Sequence, residues 1–337
     1  MPKKKNQLKL DPTRTTTLRR QFMSAIRGRL DRVYKQIREL VIEQDAFGLG
    51  PSLHAEVQYE PQRFRFLSSK EKLREFERYL RRLLKKEVLE EGLPDETESY
   101  WYVYTRKGYE RGAKNAFMAV KQSHKEELEK KLAFFSGTLE DFLRQSFAQP
   151  INPDRVQLLA SRVLTELRGI TESMARSMIR VMADAMTQGL GLDVVGRLLR
   201  KEVDLTKTRA DRIARTEIIR AHAEGQLDML EELGVEEVGV EVEWRITPDF
   251  RVCEQCRALS GTVFKIDEAR GLLPRHPNCR CAWIPAGVGE SRRWQKRTKQ
   301  QKKKAIKESV RAERPKAKLK DALEKTRWVG ADLYGKR

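Results

Sequence analysis

The sequence predicts an α+β protein: a mostly helical N-terminal body, then a small β-containing module stabilised by cysteine, histidine and a metal, then a basic tail. Three observations carry this reading. Apolar residues recur at three- and four-residue steps as far as Leu233. Two-residue alternation appears only beyond Gly234, and all four cysteines fall between Cys253 and Cys281. At 337 residues the chain is long enough for about two domains and a sizeable core. With 39% apolar and 35% charged residues it is more polar than an average domain, yet not so poor in Leu, Ile and Val as to predict disorder throughout. No stretch approaches the ~18–20 apolar residues that cross a bilayer. Met1-Pro2-Lys3-Lys4-Lys5 lacks the apolar stretch of a secretory signal, so neither a membrane protein nor a Sec-exported one is expected.

The elements follow in order. Thr15 to Glu43 reads as a helix with Leu18, Phe22, Ile26, Leu30, Val33 and Ile37 on one stripe. Phe47 to Phe66, with two glycines and two prolines, reads as loop with a short strand at Ala55–Tyr59. Ser68-x-x-Glu71 has the form of a capping box and opens a helix that stops at Gly92-Leu93-Pro94. A third helix starts near Glu98, its Tyr100, Trp101, Tyr104 and Phe117 reading as core, and the apolar Leu132–Phe135 precedes a stop at Gly137. Three further helical patterns, Pro153 to Arg168, Thr171 to Thr187 and Leu192 to Val203, are separated by Gly169 and by Gly189-Leu190-Gly191, which suit C-caps. Thr206 to Leu233 is the last long helix. Val238, Val240, Val242 and Trp244 then alternate with polar residues as a half-buried strand, with Thr262–Lys265 and Ala282–Ile284 as partner strands. Beyond Pro285 only Ala305–Ala312 has a helical pattern. The division suggested is a basic segment at 1–28, a helical domain at 29–150, a domain at 151–286 that includes the Cys/His module at 235–286, and a basic tail at 287–337.

Charge is concentrated at the ends. Of the formal +20, residues 1–28 contribute +7 and residues 290–337 contribute +12, leaving +1 for everything between. Basic ends on a neutral body suit a polyanion, because lysine or arginine laid on phosphate releases condensed counterions. Double-stranded DNA is the expected partner, with Lys3, Lys4, Lys5, Arg292, Arg293, Lys302, Lys303 and Lys304 as candidate contacts; a solvated, solubilising tail is the plainer alternative.

The cysteines form a C-x2-C pair, Cys253 and Cys256, and a C-x-C pair, Cys279 and Cys281, the second preceded by His276. Two close pairs of soft ligands are what a tetrahedral zinc site needs. Five donors compete for four positions; the preferred set is Cys253, Cys256, His276 and either Cys279 or Cys281. Two disulfides or four unligated core thiols are the alternatives, and a reducing compartment argues against disulfides. A module of about 50 residues buries little surface by itself, so bound Zn2+ is expected to supply much of its folding free energy, on the order of 10 kcal/mol apparent. A catalytic reading also exists. His222-Ala223-Glu224 followed by Val252-Cys253-x-x-Cys256 mimics the H-x-E…P-C-x-x-C layout of zinc deaminases, with Glu224 as proton shuttle. It places His222 in mid-helix, has Val252 where proline is expected, and leaves His276, Cys279 and Cys281 without a role. A zinc-dependent nucleic-acid or nucleoside deaminase is therefore kept only as the alternative function.

The run Ala214-Arg215-Thr216-Glu217, then Arg220-Ala221 and Gly225, Trp244 to Asp249, Cys253-x-x-Cys256, Leu259-x-Gly261-x-x-Phe264 and Pro274-x-His276-Pro277-x-Cys279-Arg280-Cys281 resembles the phage Mu protein F-like family of minor head, or head morphogenesis, proteins. The likeness covers about residues 170–286; it departs at His222, where the family more often has Asn. The resemblance implies a low-copy component of a tailed-phage or prophage head that associates with the portal and with capsid or scaffold proteins. It further implies help in head assembly and in DNA packaging or delivery, in the bacterial host cytoplasm during assembly and then in the virion head interior, with no settled enzymatic activity. Within the motif, Arg215 and Glu217 face different sides of one helix, and one of them is read as the anchor between that helix and the cysteine module, with Thr216 between them. Asp249 is read as orienting a metal ligand or capping the turn.

Overall fold

The chain is seen here as a computed structural model that describes residues 11–50, 69–123, 152–233, 241–247 and 249–286, with residues 301, 304, 306 and 307 beyond them. Helix α1 (Thr16–Arg38) buries the six stripe residues from Leu18 to Ile37 and widens into a π turn over Glu39–Glu43, so the expected span is filled. Helix α2 (Ser69–Leu84) ends in a similar turn, Lys85–Leu89, followed by the positive φ of Glu90 and of Gly92 at the expected stop. Ser68 of the capping box, Ala55–Tyr59 and Leu132–Phe135 lie outside the described residues. Helix α3 (Tyr100–Ser123) buries Tyr100, Trp101 and Phe117, and Tyr104 stacks on Phe22 at 4.9 Å. Tyr100 and Trp101 donate to the carbonyls of Val88 and Leu89 at 2.8 and 2.9 Å, satisfying main-chain groups that the π turn leaves open.

Two expected breaks are absent. Pro153–Gln188 is one helix, α4, and Leu192–Glu232 is one helix, α5. Gly169 does not cap α4, because Leu164, Leu167, Ile170 and Met174 stay buried on one stripe through it. A single glycine costs a helix only about 1 kcal/mol, less than that continuous burial returns. Leu199, Val203, Thr206 and Ala210 likewise carry α5 across the gap expected at Val203. Gly189, at φ 66°, is a true C-cap.

After α5 come β1 (Val242–Arg245), α6 (Glu254–Leu259), β2 (Val263–Phe264), α7 (Ile266–Ala269) and β3 (Ala282–Pro285). The sheet is antiparallel in the order β2-β1-β3, with Trp244 opposite Trp283. The partner strands stand where the sequence placed them. As the central strand, β1 buries Glu243 together with Val242 and Trp244, so its described part is not half-exposed; Val238 and Val240 lie outside the described residues.

Two apolar clusters make the core. One fills the body from Leu18 to Ala221, and the other packs the sheet, Cys256, Cys279 and Cys281 against Phe117 of α3 and Leu227 and Leu230 of α5. Both long helices serve both clusters. The cysteine module therefore does not hang free as a self-supporting unit; it gains burial from α3 and α5 that its own length could not supply. Where α3 crosses α5 the main chains nearly touch. A Cβ on Gly225 would lie 2.8 Å from the Tyr109 carbonyl carbon, and one on Gly112 would lie 2.7 Å from that of His222. The Gly225 of the motif is thus a steric requirement of the crossing. No helix among the described residues is long and apolar enough to cross a membrane.

A candidate metal centre

Each half of the cysteine cluster is shaped by a local turn. Cys253 is the N-cap of α6, and its Sγ accepts the Cys256 N–H at 3.4 Å. His276-Pro277-Asn278-Cys279 closes a β-turn with the Cys279 N–H donating to the His276 carbonyl at 3.1 Å. Proline at the second position and Asn278 at φ 62° in the third match a type II turn, which sets His276 and Cys279 side by side. The Asn278 N–H donates to Thr216 Oγ1 at 3.1 Å, fixing this turn to α5.

The two turns converge. His276 Nε2 lies 3.1 Å from both Cys253 Sγ and Cys256 Sγ, and Cys256 Sγ lies 3.8 Å from Cys279 Sγ. The donor atoms of Cys253, Cys256 and His276 lie within 4.8 Å of one another, as do those of Cys256, Cys279 and Cys281. All four cysteines are free thiols. Two 2.3 Å zinc–sulfur bonds at a tetrahedral angle place their sulfurs about 3.8 Å apart, the Cys256–Cys279 separation. His276 Nδ1 donates to the Pro277 carbonyl at 2.8 Å, which turns Nε2 toward the sulfurs. The buried Trp244 Nε1 lies beside Cys281. Hydrogen bonds from Cys256 and Cys281 hold the Cys279 thiol far below its ordinary value, and the Cys279 thiolate in turn pushes His276 up to about 9. The donor set fits a soft divalent ion. With five donors at hand, four positions can be filled without water.

The groups behind the donors differ in part from expectation. Asp249 caps its turn and pairs with the ligand segment: its carboxylate accepts the Arg251 N–H at 3.0 Å and holds the Arg280 guanidinium through two nitrogens at 2.5 and 2.8 Å. That pairing, chiefly with Arg280, keeps the Asp249 carboxyl well below the usual carboxylate range. Arg280 stands between Cys279 and Cys281, and its carbonyl accepts from Thr247 Oγ1 at 3.1 Å. Among the described residues, neither Arg215 nor Glu217 bonds to the module. Glu217 is buried and pairs with Arg162 of α4 and Arg220, at 3.2 and 3.1 Å, while Arg215 lies 4.0 Å from Asp211. The anchor is Thr216, whose hydroxyl also donates to the Arg212 carbonyl and so presents its lone pair to Asn278. Gln226 is a second anchor, unmarked in the sequence: its side-chain amide donates to the Trp283 carbonyl at 2.6 Å and accepts the Trp283 N–H at 3.1 Å, pairing with the open edge of β3 as a strand would.

The deaminase layout is not assembled. Among the described residues neither His222 nor Glu224 joins a metal-competent group. His222 is wholly buried with Nε2 at 2.9 Å from Asn115 Nδ2, and Glu224 is tied to Arg270, the Gly271 N–H and Arg155. Of the expected DNA contacts, Lys304 is described and exposed; Lys3, Lys4, Lys5, Arg292, Arg293, Lys302 and Lys303 lie outside the described residues.

Residues 177–284, from within α4 to β3, match the family of phage Mu protein F-like proteins. This is a phage Mu F-like domain. It contains all five donors and both anchors, and it supports a place for the chain among phage head morphogenesis proteins, a structural rather than an enzymatic family. No curated protein and no solved structure matches the chain. Within the Mu F-like domain, the Arg-Thr-Glu, Gly225 and His-Pro-Asn-Cys-Arg-Cys segments each have a physical role: anchor, helix crossing and ligand turn.

Proposed function

We propose that the chain is a minor head protein whose Mu F-like domain binds one structural Zn2+ and serves as an attachment unit on the portal during head assembly. Cys253, Cys256, His276 and one of Cys279 or Cys281 would hold the ion. A structural ion supplies cross-linking of the two ligand turns, and α5, through Thr216 and Gln226, fixes the cross-linked turns to the helical body. Lys3, Lys4, Lys5 and the basic residues from Arg292 to Lys304 contact double-stranded DNA during packaging or delivery, with capsid or scaffold proteins as further neighbours. The protein then works in the bacterial host cytoplasm and in the head interior.

The observation that carries this reading is the pair of three-donor groups, Cys253–Cys256–His276 and Cys256–Cys279–Cys281, that meet at Cys256 inside the segment that matches the family. A metal centre closed by protein donors has no position for substrate or water, which favours assembly over hydrolysis. Co-expression with the portal protein of the same genome tests it. The full chain is expected to co-purify with the portal, and Cys256→Ser to lose both the ion and the portal. Co-purification of a metal-free Cys256→Ser chain at wild-type yield would contradict the role given to the site.

A further inference from the structure

Two clefts flank the start of α1. The larger, of about 620 Å3, is lined by Arg19, Arg20, Arg215, Arg251 and Arg280 against only two carboxylates, Asp11 and Asp249. The other, of about 600 Å3, is lined by Arg14, Lys107, Arg111 and Lys114 against Glu110. These carboxylates are engaged. Asp249 holds Arg280 and Arg251, Asp11 holds Arg19 and the hydroxyls of Thr13 and Thr16, and Glu110 accepts from Arg106 at 2.7 Å. Asp211, the carboxylate beside Arg215, is taken by the Arg27 fork. Positive charge is therefore left in surplus in both clefts.

Two further features of the larger cleft bear on an anion. The Arg19 side chain is only 9% exposed, yet its Nε has no partner. A buried guanidinium donor without an acceptor is a standing cost, here in a side chain that lines the cleft. Arg19 is also held below its ordinary pKa, first by burial and, against Asp11, by the like charges of Arg280 and Arg215. No aromatic side chain lines either cleft, so nothing there can stack on a base. Guanidinium forks match phosphate oxygens two at a time.

We infer that the Arg19–Arg215–Arg280 cleft binds backbone phosphates of double-stranded DNA, with the second cleft extending the same track past α1. This rests on the DNA-contact reading above and moves part of the contact from the basic ends into the folded body. The charge count of residues 29–289 hides the share that Arg215, Arg251 and Arg280 bring to it, because a near-neutral total is compatible with local segregation, while Arg19 and Arg20 belong to the +7 of residues 1–28. The cleft also joins α1, α5 and the ligand turns, so a strand lying in it would bridge body and metal centre.

The test uses the full chain and mixed-sequence duplex DNA, with binding followed by fluorescence anisotropy over a salt series. Arg20→Gln with Arg215→Gln changes two partly or fully exposed side chains and leaves the Arg19–Asp11 and Arg280–Asp249 pairs intact. Two lost phosphate contacts should reduce the slope of log K against log salt by about 1.8. Lysine at both positions should restore most of that slope, because it keeps the charge. A second full-length variant carries glutamine at Arg292, Arg293, Lys302, Lys303 and Lys304; the cleft change should lower its slope by the same amount. If the cleft variants match wild type while the tail variant loses its binding, the cleft assignment fails and the DNA reading survives. Absence of DNA binding by the wild-type chain at low salt sinks both. An equal loss of affinity for polyglutamate overturns the assignment to phosphate.

Discussion

Replacing Gly225 by alanine tests the helix crossing on which the Mu F-like domain is built. The added Cβ would stand 2.8 Å from the Tyr109 carbonyl carbon and 3.1 Å from its Cα. Unstrained carbon pairs sit at about 3.5–4.0 Å, so α3 and α5 must part by about 1 Å. The obstacle is main chain and cannot swing aside. Overpacking of this kind costs about 1–3 kcal/mol, here at the upper end, whereas alanine in a helix returns about 1 kcal/mol over glycine. The net expectation is a loss of about 2 kcal/mol, or a fall in Tm of about 4–8 °C for a folded unit of this size. Gly169→Ala is the internal control. That position is inside α4 with nothing within 4 Å of an added methyl carbon, and alanine there should raise Tm by a few degrees. Thermal unfolding of both variants by far-UV circular dichroism decides the matter. A Gly225→Ala chain as stable as wild type, or a destabilised Gly169→Ala chain, would refute the reasoning.

Three further outcomes are expected. Gln226→Ala leaves the buried Trp283 N–H and carbonyl without partners and should destabilise by about 3 kcal/mol in urea unfolding; a loss under about 0.5 kcal/mol would mean that β3 does not use this amide. His222 is driven down to about 3 by burial, so between about pH 6.5 and 3 the unfolded chain binds a proton that the folded chain refuses. Stability should therefore fall by up to about 1.4 kcal/mol per pH unit on acidification through that window, and His222→Asn should remove one proton's worth of that dependence; identical pH profiles for the two proteins would count against a neutral buried imidazole. Asp249→Asn should weaken metal retention about 10–100-fold in competition with a chelator, because Arg280 between the two ligand cysteines loses its fork partner. The stability that the Asp249 pairing adds over Asp249→Asn should be full above about pH 3.8 and fade as the pH falls below it, where the unfolded chain's carboxyl takes up a proton that the native carboxylate, held low chiefly by Arg280, still refuses.

What the sequence revealed and what it hid follow from the range of the interactions. Periodicity marks burial, so the stripe of α1 and the alternation around Trp244 located their elements directly. Ligand spacing marks local turns, and His276-Pro277-Asn278-Cys279 is such a turn. Gly169 misled because a glycine inside a helix and a glycine at its end differ only in φ, which tertiary packing settles. Thr216 was overshadowed by its charged neighbours, since ion pairs are expected from residue type while a hydroxyl's partner, here Asn278, is not. Gln226 pairs with a main-chain edge 57 residues away and the arginine cleft gathers residues from Arg19 to Arg280; neither leaves a local trace. The separation of charged ends from a neutral body concealed the cleft, because it assigns Arg19 and Arg20 to one end and Arg215, Arg251 and Arg280 to a sum over 261 residues that says nothing about their placement.

The most direct test of the account is metal content together with the ligand shell of the purified full-length chain, by elemental analysis and zinc X-ray absorption. One zinc per chain, with a shell of three sulfurs and one imidazole nitrogen that Cys253→Ser or His276→Ala disrupts, is the expected result. A chain that folds and stays metal-free with zinc in excess, or a zinc shell made of oxygen, would contradict it.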